Sequence, residues 1–185
     1  MTGRTRSSGF VLVGGASRRM GRDKALLALD GITMVEAVAS KVRAAAGNVT
    51  LIGPVEKYAN LGFPVVPDAV ENCGPIGGLY TALQMTDSDW NVLVACDMPH
   101  LTVSFLNQLF AAAEYDGAVP EAAGKIHPLC AVYHRSLVGA AKSAVDRKLF
   151  KMQDFIATLQ MRRWSVPDPE PLANVNTPVE YHALH

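Results

Sequence analysis

Between positions 10 and 24 the chain reads F-V-L-V-G-G-A-S-R-R-M-G-R-D-K. The apolar run Phe10 to Val13 suits a buried strand, and it breaks at Gly14 and Gly15. Four cations follow within seven residues, Arg18, Arg19, Arg22 and Lys24, with Gly21 among them. Glycines let backbone N–H groups come close to an anion, and cations this dense match the charge of a polyphosphate. Neither of two common phosphate motifs fits. A P-loop would place Lys and then Ser or Thr directly after its second glycine, whereas Gly21 is followed by Arg22-Asp23-Lys24. The dinucleotide fingerprint fails because Gly14 and Gly15 are adjacent. A solvated basic turn is the plain alternative, but it has no need of two glycines after a buried strand.

Two carboxylates stand in similar settings. In V-L-V-A-C-D-M-P, Asp97 follows an apolar strand, where it can hold Mg²⁺ beside a phosphate or cap the turn before the next helix. In V-V-P-D-A-V-E-N-C-G-P-I-G-G-L, Asp68 is open to ligand contact or to turn capping. Gly74, Gly77 and Gly78 surround an expected helix start, suited to close ligand approach or to a tight turn. In N-V-N-T-P an extended segment would put Asn174 and Asn176 on one face toward a ligand or a metal-bound water. Alternatively Asn176 or Thr177 caps a short helix opened by Pro178. His127, before Pro128, is open to substrate contact or to a structural hydrogen bond. No nucleophile–base pair stands out. A polyphosphate loop, a metal carboxylate and no covalent machinery point to phosphoryl or nucleotidyl transfer, catalysed by positioning and charge neutralisation.

The elements that must position these residues follow from periodicity. Strands are expected at 10–13, 49–52, 63–66, 91–95, 117–119, 129–133 and about 162–166. Helices are expected from a Thr33 cap to 45, from Pro75 to 85, and over 104–113, 137–145 and 152–159. Continuous apolar strands alternating with helices imply an α/β fold with a mostly parallel sheet covered on both faces. In such sheets ligands sit beyond the carboxyl ends of the strands, which is where the glycine loop, Asp68 and Asp97 fall.

The 185 residues suit a single domain spanning 1–185. Seventeen basic residues balance seventeen acidic ones, so the basic loop is a local device for a small anion rather than part of a nucleic-acid or membrane surface. Three cysteines without C-x-x-C spacing argue against a disulfide framework or a zinc site. No apolar run approaches the ~18 residues of a membrane span. The expectation is a reduced cytoplasmic protein.

L-V-G-G-A-S-R-R-M-G-R-D-K-A-L-L resembles the signature of nucleotidyltransferases with a glycosyltransferase-A-like, Rossmann-related fold. With G-P-I-G-G-L, C-D-M-P, H-P-L and N-V-N-T-P, the chain is similar to the molybdenum cofactor guanylyltransferases over nearly its whole length. The resemblance implies a three-layer α/β/α fold and transfer of GMP from GTP to the terminal phosphate of the molybdenum-pterin cofactor. It puts Leu12, Val13, Gly14 and Gly15 against the nucleotide. Arg19 and Lys24 would hold the triphosphate, Asp68 would contact the nucleotide, and Asp97 would bind GTP and Mg²⁺. His127, Asn174 and Asn176 fall where the pterin is received. It further implies a monomer, with room for transient contact with molybdoenzyme chaperones. One departure matters: members often carry Asn at the end of the second strand, where this chain has Leu51-Ile52-Gly53-Pro54. Base reading then rests on backbone groups or another loop. The alternatives are a related transferase using CTP or another phosphate acceptor, and a non-catalytic cofactor carrier.

Overall fold

The computed structural model describes residues 6–14, 24–29 and 31–175, with backbone alone for Lys24 and Leu29. Its strands are β1 (Ser7–Leu12), β2 (Ala28–Leu29), β3 (Ile32–Thr33), β4 (Thr50–Ile52), β5 (Val65–Val66), β6 (Trp90–Ala95), β7 (Gly117–Ala122), β8 (Lys125–Ile126), β9 (Cys130–His134) and β10 (Met161–Ser165). Its α-helices are α1 (Met34–Ala46), α2 (Val55–Tyr58), α3 (Gly74–Met85), α4 (Val103–Ala111), α5 (Val138–Asp146) and α6 (Met152–Ile156). Strands pair in the order β5-β4-β1-β6-β9, with a second run β10-β7-β8 and a β2-β3 hairpin. β5, β4, β1 and β6 are parallel, and β9 is antiparallel to β6. At the end of β9, His134 N–H donates to the Asp116 carbonyl before β7 at 2.9 Å, which joins the second run to the first. The sheet is therefore mixed but mostly parallel, as expected.

Side-chain alternation along the strands builds a core on each face. Val11 of β1 and Val13 just past it pack with Val35, Val38 and Val42 of α1 and with Leu106 and Leu109 of α4. Phe10 faces the other way, toward Ile76, Leu79 and Leu83 of α3 and Ala141 and Ala144 of α5. On β6, Val92 and Val94 join the first core and Leu93 the second. Burial of each such Val or Leu is worth about 1.5–3 kcal/mol. The result is the expected three-layer α/β/α arrangement. Among the described residues no helix is long and apolar enough to cross a membrane.

Thr33 caps α1 as expected, and Glu36 completes a capping box by accepting Thr33 N–H at 2.8 Å. β1 begins three residues earlier than its apolar run suggests. Ser8 is buried in a hydrogen bond to Ser88 at 2.8 Å, and Gly9 lies so close to α1 that an added Cβ would stand 2.3 Å from Val42 Cγ1. Polar and small residues here are core, which the apolar pattern does not reveal.

The order of strands places the site. From β1 the chain adds β4 and β5 on one side, then crosses back to lay β6 on the other. The reversal leaves a crevice beyond the carboxyl ends of β1 and β6, the place where open α/β sheets bind ligands.

Candidate functional site

Three strand ends are locked together at that crevice. Val13 N–H donates to the Ile52 carbonyl at 2.9 Å, and Cys96 N–H donates to the Leu12 carbonyl at 3.2 Å. Leu12, Val13 and Gly14 thus leave the sheet between the ends of β4 and β6. Gly14 has φ 89°, a conformation side chains disfavour, and a Cβ on it would stand 2.9 Å from Pro54 Cδ. Gly15, Arg18, Arg19, Gly21, Arg22, Asn176, Thr177 and Pro178 lie outside the described residues, as does the Lys24 side chain.

Asp97 stands two residues past β6, beside the end of β1. Its loop is held from several directions. Leu101 N–H closes a turn onto the Met98 carbonyl at 3.3 Å, with Met98 and Leu101 buried. Val175 N–H donates to the Asp97 carbonyl at 2.9 Å, and Lys41 Nζ donates to the Pro99 carbonyl at 2.6 Å. Asp97 Oδ1 is out of contact with solvent. The helix that follows is capped by Thr102, whose Oγ1 accepts Phe105 N–H at 3.1 Å.

Asp68 lies two residues past β5 and is exposed. Protein around it still takes enough water from its carboxyl to raise its pKa above the ordinary aspartate value. β5 and β6 are three strand spacings apart, or about 14 Å at the usual 4.7–4.9 Å. The strands that carry the two carboxylates are thus well separated across the sheet. Among the described residues no group of three or more His, Cys, Asp and Glu could form a metal cage. A single carboxylate at the crevice nonetheless suits Mg²⁺, which is typically held by one or two carboxylates with water and substrate phosphates.

The H-P-L segment reaches the same edge. Ala95 N–H, the last of β6, donates to the Leu129 carbonyl at 2.8 Å, and His127 bonds through its backbone to Pro120 and Cys130. Burial, and then the Lys125 charge, hold the half-buried His127 ring below the ordinary histidine pKa, which favours its neutral form. Asn174 is exposed next to Val175 and so arrives at the Asp97 loop. The structure thus gathers Leu12, Val13, Gly14, Asp97, the His127 turn and Asn174 around the ends of β1 and β6, with Asp68 at the far side.

Two corrections concern glycines. Gly77 and Gly78 lie buried inside α3 rather than at a ligand face. Gly78 lets the helix press on β1, since a Cβ there would stand 2.4 Å from Leu12 Cδ2. Two supports were missed. Lys41 sits on α1 three residues after the buried Val38, a spacing that placed it on the packed face. Tyr133, fully buried, donates its hydroxyl to the Pro128 carbonyl at 2.8 Å and fixes the turn behind His127. Cys130 offers no nucleophile, because complete burial pushes its thiol up to about 12.

A family profile described as "MobA-like NTP transferase domain" matches residues 9–162. A Pelotomaculum thermopropionicum protein named "Probable molybdenum cofactor guanylyltransferase" is 33% identical, covering 93% of this chain and 88% of its own. One of the same name from Carboxydothermus hydrogenoformans is 32% identical, covering 94% and 92%. The crystal structure of molybdopterin-guanine dinucleotide biosynthesis protein A from Archaeoglobus fulgidus has a TM-score of 0.82 at 24% identity, covering 96% of both chains. The manganese complex of Rv0371c from Mycobacterium tuberculosis has a TM-score of 0.71 at 22% identity, covering 97% and 98%. At these identities the two structures share the fold.

Proposed function

This chain belongs to the MobA-like NTP transferase family and is a nucleotidyltransferase; from that premise we propose that it transfers GMP from GTP to the terminal phosphate of the molybdenum-molybdopterin cofactor. A phosphate oxygen of the pterin attacks the α-phosphorus of GTP, the α–β bond breaks, and pyrophosphate leaves as molybdopterin guanine dinucleotide forms. The observation that carries this reading is Asp97, held just past the end of β6 beside the end of β1. The names borne by the Pelotomaculum and Carboxydothermus relatives support the acceptor and the base.

Leu12, Val13, Gly14 and Gly15 receive the nucleoside, and Asp68 contacts it from the β5 side. Arg19 and Lys24 hold the triphosphate, with Lys24 at the α-phosphate where charge moves during transfer. Asp97 would hold Mg²⁺, which would supply charge neutralisation for the leaving pyrophosphate. The manganese complex of the Mycobacterium tuberculosis protein supports a divalent ion on this fold. Asn174, Asn176 and His127 receive the pterin, whose phosphate must attack the α-phosphorus opposite the leaving pyrophosphate.

Base selectivity rests on backbone groups or on another loop. Gly53 has φ 154°, and a Cβ there would stand 2.0 Å from the Val13 carbonyl oxygen, so no side chain can extend from this position. A site with fewer buried polar partners rejects wrong bases weakly, so GTP is preferred over CTP and ATP by a modest factor. Pyrophosphate release with GTP, CTP and ATP, with and without the molybdenum-molybdopterin acceptor, tests the proposal. Acceptor-dependent release fastest with GTP is expected. Release with CTP but not GTP overturns the base assignment, and no release with any nucleotide overturns the enzyme.

A further inference from the structure

We propose that Lys41 is a positioning residue that sets the Asp97 carboxylate for the metal ion, an inference that rests on the reading of Asp97 given above. Lys41 projects from α1 to the loop after β6 and donates to the Pro99 carbonyl at 2.6 Å, across fifty-eight residues of sequence. Asp97 lies two residues before Pro99. Its own carbonyl is taken by Val175 from the other end of the chain, so the short loop is pinned on both sides of Met98.

The choice of residue argues against a stabilising role. Among the described residues no ion pair involves Lys41, and the partner of its ammonium is a neutral carbonyl. The side chain is half-buried, and burial alone lowers its pKa. Drawing an ammonium partly out of water costs free energy, which its charge-assisted bond to the Pro99 carbonyl offsets. An apolar residue of similar length would serve the α1 core as well. What Lys41 supplies is a fixed direction for the backbone that carries Asp97, the service outer-shell groups give to metal ligands.

The experiment titrates Mn²⁺ by electron paramagnetic resonance into full-length protein saturated with α,β-methylene GTP. It compares native protein, Lys41→Met, Lys41→Gln and Asp97→Ala, with melting temperatures measured alongside. Lys41→Met is expected to bind Mn²⁺ about tenfold more weakly while melting no lower than native. Lys41→Gln, which keeps a shorter neutral donor, is expected to fall between the two, and it decides on the same criterion if Lys41→Met does not fold. Mn²⁺ binding by the Lys41 variants within twofold of native, with Asp97→Ala defective, overturns the role of Lys41 and leaves Asp97 as the metal carboxylate. Native Mn²⁺ affinity in Asp97→Ala overturns the metal reading itself.

Discussion

The loops after β5 and β6 are built alike, each with an aspartate two residues past a parallel strand and a helix beyond, yet they are held very differently. The Asp97 loop is pinned by Lys41 from α1 and by Val175 from the end of the described chain, with Met98 and Leu101 buried beneath it. In the Asp68 loop, Ala69 N–H donates to Thr81 Oγ1 of the next helix at 2.9 Å, and Asn72 and Gly74 turn the chain at positive φ. Its aspartate is exposed. The difference matches the two tasks proposed for these carboxylates. A carboxylate that holds a metal against a reacting phosphate must be in place before substrate arrives, because reorganisation would raise the barrier. One that contacts the nucleotide away from the reacting phosphorus can settle as the ligand binds.

The largest test of that contrast replaces each aspartate. Asp97→Ala is expected to lower acceptor-dependent pyrophosphate release by about 10³-fold. Asp68→Asn is expected to raise KM for GTP by about tenfold with kcat little changed, the pattern of an interaction made equally in ground and transition states. Equal losses in kcat from both variants would erase the distinction.

Loosening the supports gives smaller effects. Val175 is 2% exposed, and Val175→Ala removes packing worth about 1–2 kcal/mol beneath the Asp97 carbonyl. It is expected to raise the Mg²⁺ concentration for half-maximal rate by about fivefold. Thr81→Val deletes the acceptor for Ala69 N–H, at about 1 kcal/mol, and is expected to raise KM for GTP by no more than about threefold at unchanged Mg²⁺ dependence.

The smallest test is pH. Desolvation raises the pKa of Asp68 in the folded protein, so in the range between its unfolded and folded values the native state holds more protons than the unfolded one. Stability from this group is therefore lost as pH rises through that range. Urea midpoints of native protein and Asp68→Asn are expected to move relative to one another from acid to neutral pH, with the native form falling behind. Parallel pH curves would mean that Asp68 carries no desolvation.

Most of the framework was legible because parallel strands buried on both faces read as unbroken apolar runs. β6, expected at 91–95, spans Trp90–Ala95, and α1 ends one residue beyond its expected end, at Ala46. What escaped has physical reasons. The first three residues of β1 are Ser7, Ser8 and Gly9; Ser8 is met by Ser88 inside the fold and the Gly9 N–H by the exposed Asn48 side chain. β2, β3 and β8 are two-residue strands, too short for period-two alternation to register. Asp97 stood out because a carboxylate after an apolar strand is conspicuous. Lys41 and Tyr133 did not, since each acts through a backbone carbonyl distant in sequence or hidden in a turn. Gly78 was misread because a glycine that admits a ligand and one that admits Leu12 look alike until the helix is placed.

The most direct test of the central claim follows the α-phosphate. Protein, Mg²⁺ and molybdenum-molybdopterin are incubated with GTP labelled at the α or the γ position. The α label is expected in a pterin dinucleotide and the γ label in pyrophosphate, both lost in Asp97→Ala. Release of the γ label as inorganic phosphate, or failure of the α label to reach the acceptor, would contradict nucleotidyl transfer at this site.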